Sequence, residues 1–359
     1  MLRDFINKER VYVLMLSFIL LFNALLIFSE KIPGLAESFL EKKAFKSRLS
    51  EKEAGAEFSL KVDKKISWEE VLEKKGRIAL INMLGFLVLS VFSLGLFLDI
   101  RILTARVKKR EIFKTRGEHL RVKWGIGDIF KLAIIFVFLG YILHIIEACL
   151  LSSASEGKSL LTFIPLLNAG VMDLAILGFI IYFVKVKYSQ GLAAIGLKIK
   201  GAGRFIFLAG LGYIAFLPIL AFLLLLLIML AALFNYHPPQ QAIFRLFLQE
   251  KSLWLLVYST MMVVVLGPVV EEIFFRGFTY NAIKKRWGVP PAMALTAVVF
   301  AGLHANLIGF LPIAALGFLL AYVYEKTGSL IPSITIHILH NGLMVALLFL
   351  GRYFMRFAQ

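Results

Sequence analysis

Apolar residues run along this chain in blocks of about twenty, separated by short polar and basic stretches. Nine blocks are readable, at about 11–29, 78–98, 132–151, 160–184, 205–234, 252–275, 291–306, 311–324 and 332–350. Wound as a helix, about twenty apolar residues span the hydrocarbon core of a bilayer. Backbone in hydrocarbon must satisfy its own hydrogen bonds, and these blocks are far too long for barrel strands, so the pattern predicts helices. The expected fold is an all-α polytopic membrane protein with about nine transmembrane helices.

Two blocks have unusual shapes. The first resembles a signal peptide in position, but it is long, and "FNALLIFSEK" offers no small-x-small cleavage site. It reads as a retained anchor. The fifth holds about thirty apolar residues, or roughly 45 Å of helix, which exceeds the core thickness. Tilt, or a kink at Pro218, is the expected accommodation. The polar break near 185–204 divides the chain into a four-span N-terminal module, 1–190, and a five-span C-terminal module, 191–359. A mixed-charge 30–77 loop follows the first span, and "SWEEVLEKKGRIAL" near its end reads as an amphipathic helix.

Composition agrees with the pattern: 60% of residues are hydrophobic, and the mean hydropathy is +0.83. One cysteine, Cys149, excludes an intrachain disulfide and a Cys-rich zinc site. The net charge of +17 raises nucleic acid as a partner, but its placement points to lipid instead. The 101–123 loop carries nine basic residues against two acidic ones, 185–204 carries five against none, and 276–287 carries four against none. Basic loops fix topology beside anionic lipid. The expected partners are a bilayer and a membrane-anchored substrate, with no nucleic acid. The even-numbered spans then end in the cytoplasm and the N-terminus is cytoplasmic, although Arg352 and Arg356 near the C-terminus argue mildly against that orientation.

Ionisable residues inside spans cost about 2.5–3.5 kcal/mol each on insertion scales and are functional candidates by default. The C-terminal module holds Glu271, Glu272 and Arg276 on one span, His304 on the next, and His337, His340 and Asn341 on the last. Glu271 lies 17 residues before Gly288 and His304 lies 16 after it, so an antiparallel hairpin turning there brings both to one level. His337 sits five residues past Pro332, about 7–8 Å into its helix. Glu272 and Arg276 are i,i+4 and share a face, which leaves Glu271 free for chemistry with His304 as its expected partner. Phe300 and His304, and His337 and Asn341, repeat that spacing. Each residue taken singly also has a structural reading, as an ion pair, a cavity-lining imidazole or a hydrated interface histidine.

"EEIFFR", "FAGLH" and "HILHN" match E-E-x-x-x-R, F-x-x-x-H and H-x-x-x-N in that order. In that order they resemble the signature of the type II CAAX prenyl endopeptidases and their bacterial relatives, the CPBP (CAAX protease and bacteriocin-processing) intramembrane proteases. "RGFTYNAIKKRWG" and "GLAAIGLKIK" are similar to that family's flanking segments, so the resemblance covers roughly 190–350. It implies peptide-bond hydrolysis inside the membrane near the cytoplasmic face of a prokaryotic cell. Glu271 would activate water with His304 assisting. His337 and Asn341 would stabilise the oxyanion, and Glu272, Arg276 and Phe300 would support them. A metal-free mechanism is favoured. Zinc is the alternative, with Glu271, His304 and His337 as its ligands. His340 departs from the pattern as an extra imidazole.

A second polar group, His144, Glu147, Asn168 and Asp173, lies in the third and fourth spans. It reads either as interhelical hydrogen bonding or as a proton relay or metal site. Two rivals to the protease therefore stand. One is a non-catalytic CPBP-fold scaffold, immunity or maturation factor. The other is a secondary transporter using His144, Glu147 and Asp173, although no pseudo-symmetric halves are visible. No H-E-x-x-H helix, G-x-S-x-G elbow or pair of mid-span aspartates is present. A Ser–His dyad has only Ser333 to draw on, four residues before His337.

Overall fold

The computed structural model describes residues 9–29, 68–108, 121–153, 158–199, 201–236 and 241–355. Most of the mixed-charge 30–77 loop and the middle of the basic 101–123 loop lie outside the described residues. Among the described residues there are helices, turns and no strand. The helices are α1 (Arg10–Ser29), α2 (Trp68–Val107), α3 (Ile126–Ser153), α4 (Lys158–Ile181), α5 (Ala202–Leu233) and α6 (Ala242–Gln249), followed by α7 (Leu253–Trp287), α8 (Val289–Leu303), α9 (Phe310–Thr327) and α10 (Leu330–Met355). Seven of these are long and apolar enough to cross a membrane, while Arg10–Ala24 and Val289–Leu303 are shorter apolar segments. The protein is thus a polytopic helical membrane protein. Two compact units divide at 88/89, within α2; α1 belongs to the first and α3 to α10 to the second.

Small and cyclic residues set the close approaches in the second unit. A Cβ added at Gly95 of α2 would lie 2.8 Å from the Pro218 ring of α5. Pro218 stands inside a continuous 32-residue helix, and the hydrogen bond it removes is tolerated because neighbouring helices enclose that segment. Tyr213 and Phe216 of α5 form a core with Leu316 and Leu320 of α9 and Ile336 of α10. The short α6 docks through buried Phe247 against Leu256 and Val345.

Three glycines turn the chain toward the site. Gly288 (φ 83°) ends α7, and Pro290 sits in the first turn of α8, where a missing N–H costs nothing. Gly328 (φ 62°) ends α9. Gly196 (φ 86°), in the short lead-in before α5, accepts the Leu330 amide through its carbonyl. A Cβ there would meet the Tyr324 ring at 2.7 Å, so the lead-in is wedged against the α9–α10 turn.

Polar and aromatic contacts tie the basic ends of several helices together. Trp124, fully buried, stacks on Phe278 at 5.2 Å and donates its indole N–H to the Phe278 carbonyl. Asp128 accepts from Lys187 at 2.6 Å and from the Gly125 amide. Lys284 pairs with Glu325 at 2.6 Å, and Lys285 donates to the carbonyls of Lys123 and Trp124.

Helix α7 is irregular where its chemistry lies. Leu253–Met261 is α-helical, Met262–Leu266 is π, Gly267–Glu272 is α, Ile273–Tyr280 is π, and Asn281–Trp287 is α again. The single α turn carrying both glutamates is therefore held between two wider turns. Such π segments recur at functional sites because they re-aim side chains and backbone groups out of α register.

Candidate active site

Glu272 and Arg276 have fully buried side chains, and Arg276 Nη1 donates to Glu272 Oε1 at 2.7 Å. Arg276 Nη2 donates to the carbonyl of Gly317 at 3.0 Å. A Cβ at Gly317 would stand 3.1 Å from Ala297 Cα and 3.3 Å from Phe300. The absence of a side chain there lets α9 come close enough to present that carbonyl. The guanidinium also lies over the Phe300 ring, 4.7 Å from its centroid, a contact worth about 2 kcal/mol when desolvated. A buried charge in a helical membrane protein is tenable only when paired in this way.

His337 of α10 is buried and reaches the same acid: its Nδ1 lies 3.0 Å from Glu272 Oε1. A carboxylate only accepts, so Nδ1 carries the proton and donates. Glu272 thereby bridges Arg276 and His337 and fixes the imidazole tautomer. Nε2 then points at Glu271 Oε2, 3.7 Å away. That is an ion-pair distance but too long for a hydrogen bond. Glu271 Oε2 is itself buried and has no hydrogen-bond partner among the described residues, although the side chain as a whole is 37% exposed. Glu271 is thus reachable from one side, with one oxygen held unbonded toward His337.

Phe300 of α8 is the shared wall. It contacts Phe275 edge-on at 5.2 Å, His337 edge-on at 5.6 Å, and His304 at 4.8 Å. His304, exposed at the C-cap of α8, has its Nδ1 2.7 Å from the Phe300 carbonyl. The carbonyl makes Nδ1 the donor and leaves Nε2 as the free basic nitrogen. No hydrogen bond or ion pair joins His304 to Glu271, so the hairpin partner expected for Glu271 is replaced by His337 from α10. Level counting treats α7 as uniformly α-helical, whereas the π segment Ile273–Tyr280 lies between Glu271 and the turn. Asn341 donates to the Val263 carbonyl at 2.8 Å, in the first π segment of α7. His337 and Asn341 therefore face the same helix, as their spacing predicts.

The other sequence candidates are distributed as follows. His340 Nδ1 lies 3.2 Å from the Tyr213 hydroxyl, with the rings edge to face, which gives the extra imidazole a partner on α5. Ser333 is buried and donates to the Leu330 carbonyl, not to His337. Asn168 donates to Glu147 at 3.0 Å, and His144, largely exposed, stands 3.8 Å from Glu147. Asp173 lies on α4 five residues beyond Asn168. Among the described residues no three His, Cys, Asp or Glu side chains converge as a metal ion requires. Glu271, His304 and His337 are not among such a group. The carbonyls of Gly317 and Val263 had no signal in the sequence beyond a mid-span glycine.

Residues 252–343 match the family model described as "Type II CAAX prenyl endopeptidase Rce1-like", so the C-terminal part of the chain is similar to that class. The matched region contains all three motifs. Among curated proteins, "Putative membrane peptidase YdiL" of Bacillus subtilis is 31% identical over 81 residues, which is 23% of this chain. The match spans 33% of that relative's length. No solved structure matches the chain.

Proposed function

We propose that the protein is an intramembrane endopeptidase that cuts a membrane-anchored protein or peptide near the cytoplasmic face. The observation carrying this reading is the unbonded, buried Oε2 of Glu271 facing His337 Nε2 at 3.7 Å, beside an acid already neutralised by Arg276. Glu272 is committed to Arg276 and His337, which leaves Glu271 as the carboxylate able to take a proton. The family match and the membrane-peptidase relative support the same class of reaction.

In the proposed reaction Glu271 takes a proton from a water molecule as the water oxygen attacks the scissile carbonyl carbon. The carbonyl π electrons move to oxygen. His337, with Nδ1–H held on Glu272, presents Nε2–H to that oxyanion when protonated. Asn341 adds its second amide N–H, the first being held by Val263. Glu271 then returns its proton to the departing amine nitrogen as the C–N bond breaks, so protons balance. His304 Nε2, at the exposed edge, assists in holding the water. The basic helix ends beside anionic lipid support an inward-facing site and a cytoplasmic N-terminus, in a prokaryotic cytoplasmic membrane. The 191–359 module is read as the protease and 1–190 as its extension.

The test uses full-length protein in liposomes with a lipid-anchored fluorogenic peptide library, cleavage being read by fluorescence and mass spectrometry. Wild type is expected to cut, and Glu271→Gln to lose about 10²–10⁴-fold in rate, the usual contribution of a positioned base, with thermal unfolding unchanged. Equal cleavage by Glu271→Gln overturns the reading.

A further inference from the structure

A groove opens between α5, α9 and α10, and the reaction above gives it no task. It encloses about 460 Å³ and is open on one side. Phe205, Leu208 and Gly212 of α5 form one wall, at the i, i+3 and i+7 spacing of a single helix face. Val323 of α9 and Pro332 of α10 stand opposite, and the lining is almost wholly apolar. From Phe205 to Gly212 the groove follows about 10 Å of helix. A Cβ at Gly212 would meet nothing within 4 Å. The missing side chain there leaves open space, unlike the close helix contact at Gly95.

Cations gather where the groove meets the helix ends. Lys326, in the last turn of α9, lines the groove, and its Nζ stands 5.7 Å from the centroid of the Tyr322 ring. Arg106, in the last turn of α2, donates to the Tyr322 hydroxyl at 3.4 Å. Arg204, in the first turn of α5, lies four residues before Leu208 and so shares its face. All three side chains belong to exposed residues. Glu325, the acid beside Lys326, is taken by Lys284 and by the Tyr280 hydroxyl. Among the described residues no carboxylate pairs with Lys326 or Arg106. Three helices therefore bring unneutralised positive charge to the mouth of an apolar slot.

A free anion would leave the slot empty, and a neutral chain would leave the cations without a counter-charge. We propose that the groove is a binding site for an anionic phospholipid, with an acyl chain between α5 and α9 and the phosphate at Lys326, Arg106 and Arg204. Basic pockets between spanning helices bind anionic headgroups in this way, and the long stems of Lys and Arg lie along apolar surface while their charges reach the headgroup. The bound lipid bridges α5, α9 and the first turn of α10, the helix that carries His337.

The test follows binding of dioleoyl phosphatidylglycerol to the full-length protein in a neutral detergent by native mass spectrometry. Dioleoyl phosphatidylcholine and glycerol phosphate are the comparison probes. Wild type is expected to retain phosphatidylglycerol in preference to phosphatidylcholine and to retain no glycerol phosphate. Lys326→Gln should weaken binding about 5-fold, and Lys326→Gln with Arg106→Gln about 25-fold, the scale of one headgroup attraction per cation. Gly212→Phe keeps every charge, fills the slot and should abolish binding, and the smaller Gly212→Leu should weaken it. Arg286→Gln, at the exposed end of α7, should change nothing. Unfolding temperatures in detergent alone check that each variant is folded, and if the Gly212 variants are not, the Lys326 and Arg106 variants decide. Equal retention of phosphatidylcholine makes the groove an unselective lipid contact and overturns the inference. Binding that survives folded Gly212 variants, binding that survives the double charge variant, or equal weakening by Arg286→Gln also overturns it. So does retention of glycerol phosphate, which makes the site one for a free anion. Displacement of phosphatidylglycerol by an equal concentration of a lipid-anchored peptide assigns the slot to a substrate's anchor and overturns it as well.

Discussion

Two groups of polar side chains lie among the spanning helices, and they are built differently. Glu272, Arg276 and His337 are drawn from α7 and α10, closed over by Phe300 of α8 and by a carbonyl of α9. Their side chains are almost wholly buried. Glu147 and Asn168 meet at the interface of two helices, α3 and α4, and His144 beside them is 74% exposed. Four elements enclose the first group and two touch the second. A two-helix contact joins its partners by a hydrogen bond. A four-element enclosure removes a charge pair from lipid altogether and still leaves one edge, at Glu271, exposed.

The sharpest way to break that contrast is to remove one charge from each group. Arg276→Leu leaves Glu272 buried without its main counter-ion and should cost about 3–5 kcal/mol, the loss typical of a broken buried pair, read by unfolding in detergent. Glu272→Gln combined with Arg276→Leu should cost less than Arg276→Leu alone; a double variant at least as unstable would refute the charge-pair account. Glu272→Gln by itself should lower cleavage about tenfold or more by freeing the His337 tautomer, with KM little changed. Phe300→Leu removes the wall and the ring beneath the guanidinium. It should cost about 1–2 kcal/mol, and an unchanged unfolding temperature would show that the ring only fills space. Glu147→Gln should be nearly silent, below about 1 kcal/mol and without effect on cleavage. A large loss there would erase the distinction between the two groups.

The candidate residues were legible because ionisable side chains are rare and costly in apolar blocks, so Glu271, Glu272, Arg276, His304 and His337 could be picked out from sequence. Spacing then supplied the pair Glu272–Arg276 and the common face of His337 and Asn341. Rotation of one helix against another was not legible. Nor was the partner of Glu271, because the π segments of α7 leave no mark in residue type and spoil any count of levels made on a regular helix. Backbone ligands are equally silent: the carbonyl of Gly317 binds Arg276 whatever side chains surround it.

Those π segments carry a further consequence, best put in terms of gene length. Each wide turn holds one residue more than an α-helical turn needs. Loss of a single codon within Met262–Leu266 lets that stretch close as ordinary α-helix, still apolar and still long enough to span. Four residues of α-helix sweep nearly the angle that five sweep in the wider turn, so the carboxylates beyond it keep their direction relative to Leu253–Met261, which Leu256 and Tyr258 hold against their neighbours. A one-residue deletion here would thus spare the hydropathy profile, all three sequence motifs and the direction of the carboxylates, and would take away only the wide turn whose Val263 carbonyl accepts from Asn341.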